Sequence, residues 1–163
     1  MNINKSFMDF YFSKGSIFRK IVEVGEWSII IIIGLLLPQL KIPSFFPFNI
    51  IVGIILLLIG FLLHRASHKV NLQAHQKKEN IKKIIINGVY SKIRHPGYVA
   101  YIIGYLGVFL IFRSLSMIIP IFVFSYIFYD SAVKEEKFLT EKFGEEYRNY
   151  MRKVPWKFIP GIF

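Results

Sequence analysis

Gly88-Val89-Tyr90-Ser91-Lys92-Ile93-Arg94-His95-Pro96-Gly97-Tyr98 is the stretch whose reading decides how this chain folds. It sets turn residues, a titratable ring, a cation and two tyrosines between hydrophobic blocks. Proline is excluded from a helix interior, but Pro96 suits the first turn of one, where its missing N–H is no loss. The apolar run 98–112 reads as that helix. Arg94 and His95 then stand at a helix N-terminus, where unpaired N–H groups and the macrodipole favour an anion. On spacing alone the same two residues read equally well as interfacial anchors of a membrane helix.

Outward from this stretch, apolar blocks recur. Residues 21–37 form a first span, with Trp27 near one interface and Pro38 at its end. Glu23 and Glu26 share a face of its first turns and read as headgroup-level charges near Arg19 and Lys20. Residues 45–63 form a second span without charge, in which Gly53 and Gly60 mark close helix contact. Runs 98–112 and 115–129 are joined only by Arg113-Ser114, so they are antiparallel neighbours. Ala100, Gly104 and Gly107 make a small-residue stripe on the first of them, open to a second backbone or to a ligand. Residues 1–20 read as an amphipathic surface helix or as a frayed terminus. They make a poor signal peptide, because the apolar core starts late and no small-residue cleavage site follows it.

After Asp130 the chain becomes charged. Lys134, Glu135, Glu136 and Lys137, with Phe138 and Leu139, suggest an amphipathic helix leaving the membrane. Phe143-Gly144 ends or bends it, and Tyr147, Tyr150 and Trp156 read as interfacial packing. The expectation is an all-α integral membrane bundle of about four transmembrane helices, with a C-terminal helical hairpin and a cytoplasmic amphipathic tail. It is a single domain over 1–163, with the N-terminal spans in 1–63 and the motif-bearing half in 82–160.

Composition agrees. The 163 residues suffice for one domain. Hydrophobic residues make up 54%, including 17 Phe, and they are blocked together, as in a membrane protein. The absence of cysteine excludes disulfides, zinc–thiolate sites and cysteine nucleophiles. A net charge of +11 points, in so hydrophobic a chain, to basic loops facing anionic lipid headgroups rather than to nucleic acid. Of the 21 Lys and Arg, all but Lys41 and Arg113 lie in the N-terminus, in 64–98 or in the C-terminal tail. The positive-inside rule therefore makes both termini and both motif regions cytoplasmic, in the plasma membrane if the cell is prokaryotic. His64 and His68 share a helix face and His75 follows, but no H-E-x-x-H or carboxylate partner accompanies them, so no metal is expected. Asn87-Gly88 is a turn signal, and 84–90 has the pattern of a small hairpin.

G-V-Y-x-x-x-R-H-P-x-Y, a hydrophobic hairpin, Glu135-Glu136, Leu139, Phe143-Gly144-Glu145-Glu146-Tyr147 and Val154-Pro155 follow one another in order. This series resembles the isoprenylcysteine carboxyl methyltransferase family, which also includes phospholipid-methyltransferase-like membrane enzymes. The resemblance covers about 82–160 and implies S-adenosylmethionine as cofactor. It implies that Tyr90, His95, Pro96, Gly97, Tyr98 and Glu135 contact that cofactor, together with the preceding Lys82, Lys83, Ile84 and Ile85. The residue types suit it. N–H donors at the helix start and Arg94 match the carboxylate, Glu135 or Glu136 the amine or ribose hydroxyls, and Tyr90 and Tyr98 the adenine or sulfonium. Methyl transfer is an in-line displacement that needs alignment and a dry site more than an acid–base pair, so no catalytic residue is singled out.

One departure concerns the acceptor. Where the prenylcysteine enzymes carry an Arg suited to the substrate carboxylate, this chain has Ser131, with Lys134 one turn on and able to reach back. The acceptor is then an isoprenylcysteine-like acid if Lys134 substitutes. Otherwise it is another lipid, an amine or a hydrophobic thiol, entering from membrane lipid. Two rival readings remain at this point: an NADPH-dependent membrane reductase similar to sterol reductases, and a non-catalytic membrane scaffold.

Overall fold

The structure is a computed structural model that describes residues 16–37, 41–73 and 80–162. Of the stretch 1–20 read as a surface helix or a frayed terminus, 1–15 lie outside the described residues, as do Pro38 and His75, while 16–20 continue into the first span as one helix. Five α-helices are described: α1 (Ser16–Leu36), α2 (Phe48–Val70), α3 (Pro96–Phe112), α4 (Ile118–Phe143) and α5 (Glu145–Lys153). Short 3-10 turns at Gly88–Ser91 and Leu115–Met117 precede α3 and α4. The described chain is all-α. Two helical runs, Phe48–Val70 and Leu115–Phe143, are long and apolar enough to cross a membrane, whereas Pro96–Phe112 is apolar but shorter. Large side chains such as Ile54, Leu58, Ile119 and Phe122 face outward from these runs, a surface that suits lipid rather than water.

The small residues do what their spacing suggests. A Cβ built on Gly53 would lie 2.8 Å from the Gly107 carbonyl, and one on Gly60 would lie 2.8 Å from the Ala100 carbonyl. Higher numbers on α2 thus meet lower numbers on α3, so the two helices run antiparallel with backbones in contact. Trp27 of α1 lies over Gly104, where a Cβ would come within 2.6 Å of its ring. We expect Gly53→Leu to lower the unfolding midpoint in detergent, at a cost of about 1–3 kcal/mol, because rigid backbone opposes the new side chain. An unchanged midpoint would mean that α2 and α3 do not pack this closely.

On the other side of α3, aromatic rings fix α4. Tyr98 stacks on Phe128 at 5.2 Å between centroids, and Tyr105 meets Phe124 at 6.1 Å, which is again antiparallel. Ile30, Tyr105, Val108, Met117 and Phe128 form the buried core where α1, α3 and α4 converge. Glu26 belongs there too, and this corrects its reading as a headgroup-level charge. It is 7% exposed and accepts a hydrogen bond from the Tyr105 hydroxyl at 3.0 Å. Its position on α1 turns it towards α3, and the tyrosine supplies the donor that a buried carboxylate requires.

At one end the connections are stapled together. Arg113 ends α3 in the left-handed conformation, with φ 58°, and donates its N–H to Phe109 O. Its carbonyl accepts from Ile42 N at 3.0 Å, and Ser114 Oγ donates to Leu37 O at 2.8 Å. Lys41 pairs with Ser114, so the two isolated basic residues, Lys41 and Arg113, share this end.

At the other end two expectations change. No hairpin forms over 84–90. Asn87 leads instead into the 3-10 turn, with Gly88 at φ 62°, because the flanks are too short to make a ladder. The fourth span and the amphipathic helix after it are one continuous α4. Asp130 pairs with Lys134 across one turn, and no breaker occurs before Gly144, whose φ of 57° ends the helix. Tyr147 and Tyr150 of α5 are buried rather than interfacial, packed with Val154, Ile84, Leu139, Phe143 and Met151.

Candidate functional site

The site forms where the N-terminus of α3 meets the far half of α4. Pro96 sits at the first position of α3 and His95 is its N-cap, with a backbone φ of −125° that turns the chain into the helix. Because α3 and α4 are antiparallel, residues about forty positions apart become neighbours. The Nε2 of His95 stands 3.1 Å from Glu136 Oε1, and its Nδ1 stands 3.6 Å from Glu135 Oε2. Tyr98 donates to Glu135 Oε2 at 3.4 Å and stacks against the His95 ring at 5.6 Å. The structure thus brings His95, Tyr98, Glu135 and Glu136 together, with Pro96 and Gly97 beside them in the first turn.

The two carboxylates have different surroundings. Glu136 is almost enclosed: Arg94 Nε donates to it at 2.7 Å and Lys157 Nζ lies 3.2 Å away. Among the described residues Glu135 has the two long contacts just given, and its side chain is 30% exposed. Glu136 is therefore a structural anchor, and Glu135 is the carboxylate with acceptor capacity in hand.

Arg94 is a clamp in this structure. Besides Glu136, it donates through Nη1 to Val154 O at 2.8 Å and to Pro155 O at 2.6 Å. The backbone N–H groups of Arg94 and His95 donate to Trp156 O and Lys157 O, at 3.0 and 3.1 Å. The C-terminal tail has taken the backbone donors of Arg94 and His95 that the sequence offered to an anion. Phe158 closes over the His95 ring at 5.8 Å. Lys157, Phe158 and the tail carbonyls were missed by sequence reasoning. The only signal for them was the Val-Pro motif, which carries no indication of its partner.

Tyr90 approaches from the 3-10 turn. Its hydroxyl is joined to Ser67 Oγ at 2.8 Å and to Asn71 Nδ2 at 3.0 Å, while its carbonyl accepts from Tyr150 OH at 2.7 Å. Burial pushes the Tyr90 and Tyr150 hydroxyls above their usual range, so both remain protonated donors. Ser67 also lies beside Gly97, where a Cβ would meet only its Oγ, at 3.6 Å. Tyr90 and Gly97 are thereby tied to α2 through one serine. Lys82 and Lys83 lie apart in an exposed strand of chain held by Gln73, and Ile84 packs with the Tyr147 cluster. Ile85 is half-buried in the same segment.

On the acceptor side, Ser131 is buried and donates to its own helix at Ile127 O, 2.6 Å away. Lys134 is held by Asp130 at 2.5 Å. The His64 and His68 rings lie 4.3 Å apart on α2, tilted by 54°, and among the described residues no group of three potential metal ligands forms.

A cofactor that combines a sulfonium, an amine, a carboxylate and an adenine ring fits the residues present. Glu135 has acceptor capacity for a cationic donor, and at Gly97 a Cβ would meet only Ser67 Oγ, at 3.6 Å. Comparison with known proteins gives the same direction. Residues 48–146 match the phospholipid methyltransferase family profile. The chain is 34% identical over 128 residues to protein-S-isoprenylcysteine O-methyltransferase of Saccharomyces cerevisiae, covering 73% of this chain and 54% of the relative. Identity to the enzymes of the same name from Xenopus laevis and Homo sapiens is 26% and 24%, each alignment covering 95% of this chain and 56% of the relative. The chain spans little more than half the length of these relatives.

Proposed function

The chain belongs to the phospholipid methyltransferase family, and from that premise we propose that it transfers a methyl group from S-adenosylmethionine to a lipophilic acceptor at the cytoplasmic face of a membrane. One observation carries the reading: His95, Tyr98, Glu135 and Glu136, dispersed in sequence, meet at one end of the α3–α4 pair. Bound there, S-adenosylmethionine would supply an electrophilic methyl group. Glu135 takes its amine or ribose hydroxyls, and Tyr98, with the ring of Tyr90, flanks the cofactor. Gly97 lets the cofactor come close to the backbone. Arg94, His95 and Glu136 hold these groups in position, and the tail at Phe158 keeps water from them. Labelled S-adenosylmethionine added to membranes that contain the protein should yield organic-extractable label well above that of a Glu135→Ala control. Equal label in both would reject the reading.

The proposal includes four spans, with both termini inside. It is supported by Lys41 and Arg113 sharing one end while Arg65, Lys69, Arg94 and Lys157 lie at the other. Cysteines substituted at 41 and 113 should be labelled from outside intact cells, and one at Lys69 should not. Strong outside labelling at 69 would invert the topology.

A further inference from the structure

Resting on this methyltransferase reading, we infer that Ser67 and Asn71, at the end of α2, are positioning residues for the cofactor, because their side chains fix the direction of the Tyr90 ring. The two are four residues apart and so share a helix face, and the Asn71 N–H donates to Ser67 O at 2.9 Å to close the last turn. Their polar atoms converge on one hydroxyl. Asn71 Nδ2 donates to Tyr90 OH at 3.0 Å, and Ser67 Oγ shares a hydrogen bond with it at 2.8 Å. Ser67 is 2% exposed, so its hydroxyl needs a partner inside the protein, and Tyr90 is that partner.

The turn that carries Tyr90 has its backbone held by other contacts. A Cβ on Gly88 would meet Val70 Cγ1 of α2 at 3.2 Å, and Ser91 Oγ donates to Gly88 O at 2.7 Å. Tyr150 OH donates to Tyr90 O, also at 2.7 Å. What Ser67 and Asn71 add is the orientation of the side chain. An unheld tyrosine turns about two torsions, and fixing it before a ligand arrives removes that entropy from the binding step. The ring stands close to the candidate site. Burial pushes its hydroxyl above the usual range and the Glu135 charge adds to this, so Glu135 is near enough to act on it. Ser67 Oγ is also the atom that a Cβ on Gly97 would meet, at 3.6 Å. One face of α2 thus reaches both Tyr90 and Gly97, and a span that precedes the motif-bearing half helps to build the cofactor site.

The test is a double-variant cycle on the full-length protein in detergent, titrated calorimetrically with S-adenosylhomocysteine well below the unfolding midpoint of every variant. Ser67→Ala and Asn71→Ala should each raise Kd by about three- to tenfold, the equivalent of one hydrogen bond. In membranes the KM for labelled S-adenosylmethionine should rise by the same factor, with label at saturating cofactor unchanged, since the Tyr90 contact is the same in ground and transition states. Tyr90→Phe should weaken binding by itself. Adding either alanine to Tyr90→Phe should then change Kd by less than about twofold, because the hydroxyl through which both act is gone. A mere packing defect would carry over in full. Ser67 is buried, so if its alanine variant does not fold, half-buried Asn71 completes the cycle alone. The inference is overturned if Asn71→Ala binds with the wild-type Kd, or if the alanine losses persist undiminished in Tyr90→Phe. Failure of the wild-type protein to bind S-adenosylhomocysteine would strike the methyltransferase reading itself, and the positioning role would fall with it.

Discussion

Arg94→Met is expected to destabilise the protein by about 3–5 kcal/mol, because it removes one member of a largely buried charged cluster and leaves the others unbalanced. Arg94 joins α4, through Glu136, to the tail carbonyls of Val154 and Pro155. Methionine retains the bulk and loses all three hydrogen bonds. Glu136 would keep Lys157 and His95, but the two carbonyls would lose their guanidinium donor. Arg94→Lys should recover only part of the loss, since an ammonium lacks the planar fork that reaches several acceptors at once. Thermal unfolding in detergent reads the first effect, and faster proteolysis beyond residue 153 reads release of the tail. A midpoint within a degree of wild type for Arg94→Met would show that the cluster does not hold the tail in place.

The second large effect concerns the cofactor. Glu135→Ala and His95→Ala are each expected to weaken S-adenosylhomocysteine binding by about 1–3 kcal/mol, the range for a hydrogen bond to a charged group. In the proposed site Glu135 touches the cofactor directly. His95, with its ring between the two carboxylates, acts by positioning Glu135. The double variant should therefore lose less than the sum of the two singles, as neighbours in one network do. Unchanged affinity in both single variants, with unfolding midpoints intact, would place the cofactor elsewhere.

Much of this architecture was legible before any coordinates. The apolar runs around 45–63 and 98–112 became α2 and α3, and Gly53 and Gly60 proved to be contact points with α3. Pro96 marked the helix start to the residue. These features are local: a breaker, a run, a spacing of seven. What could not be read depended on partners far along the chain. Hydropathy gives the depth of Glu26 but not the Tyr105 hydroxyl that makes its burial tolerable. Arg94 looked like an anion ligand because nothing near it in sequence satisfies it, and its acceptors lie 42 to 61 residues away. The continuity of α4 was hidden by a change from apolar to charged composition, which alters what the helix faces without ending it.

The central claim is that the junction of α3 and α4 binds S-adenosylmethionine. Calorimetric titration of the purified wild-type protein with S-adenosylhomocysteine, and separately with NADPH, tests it most directly. The expected result is saturable binding of S-adenosylhomocysteine near one per chain, abolished or much weakened in Glu135→Ala, with no heat from NADPH. Saturable binding of NADPH without binding of S-adenosylhomocysteine would contradict it.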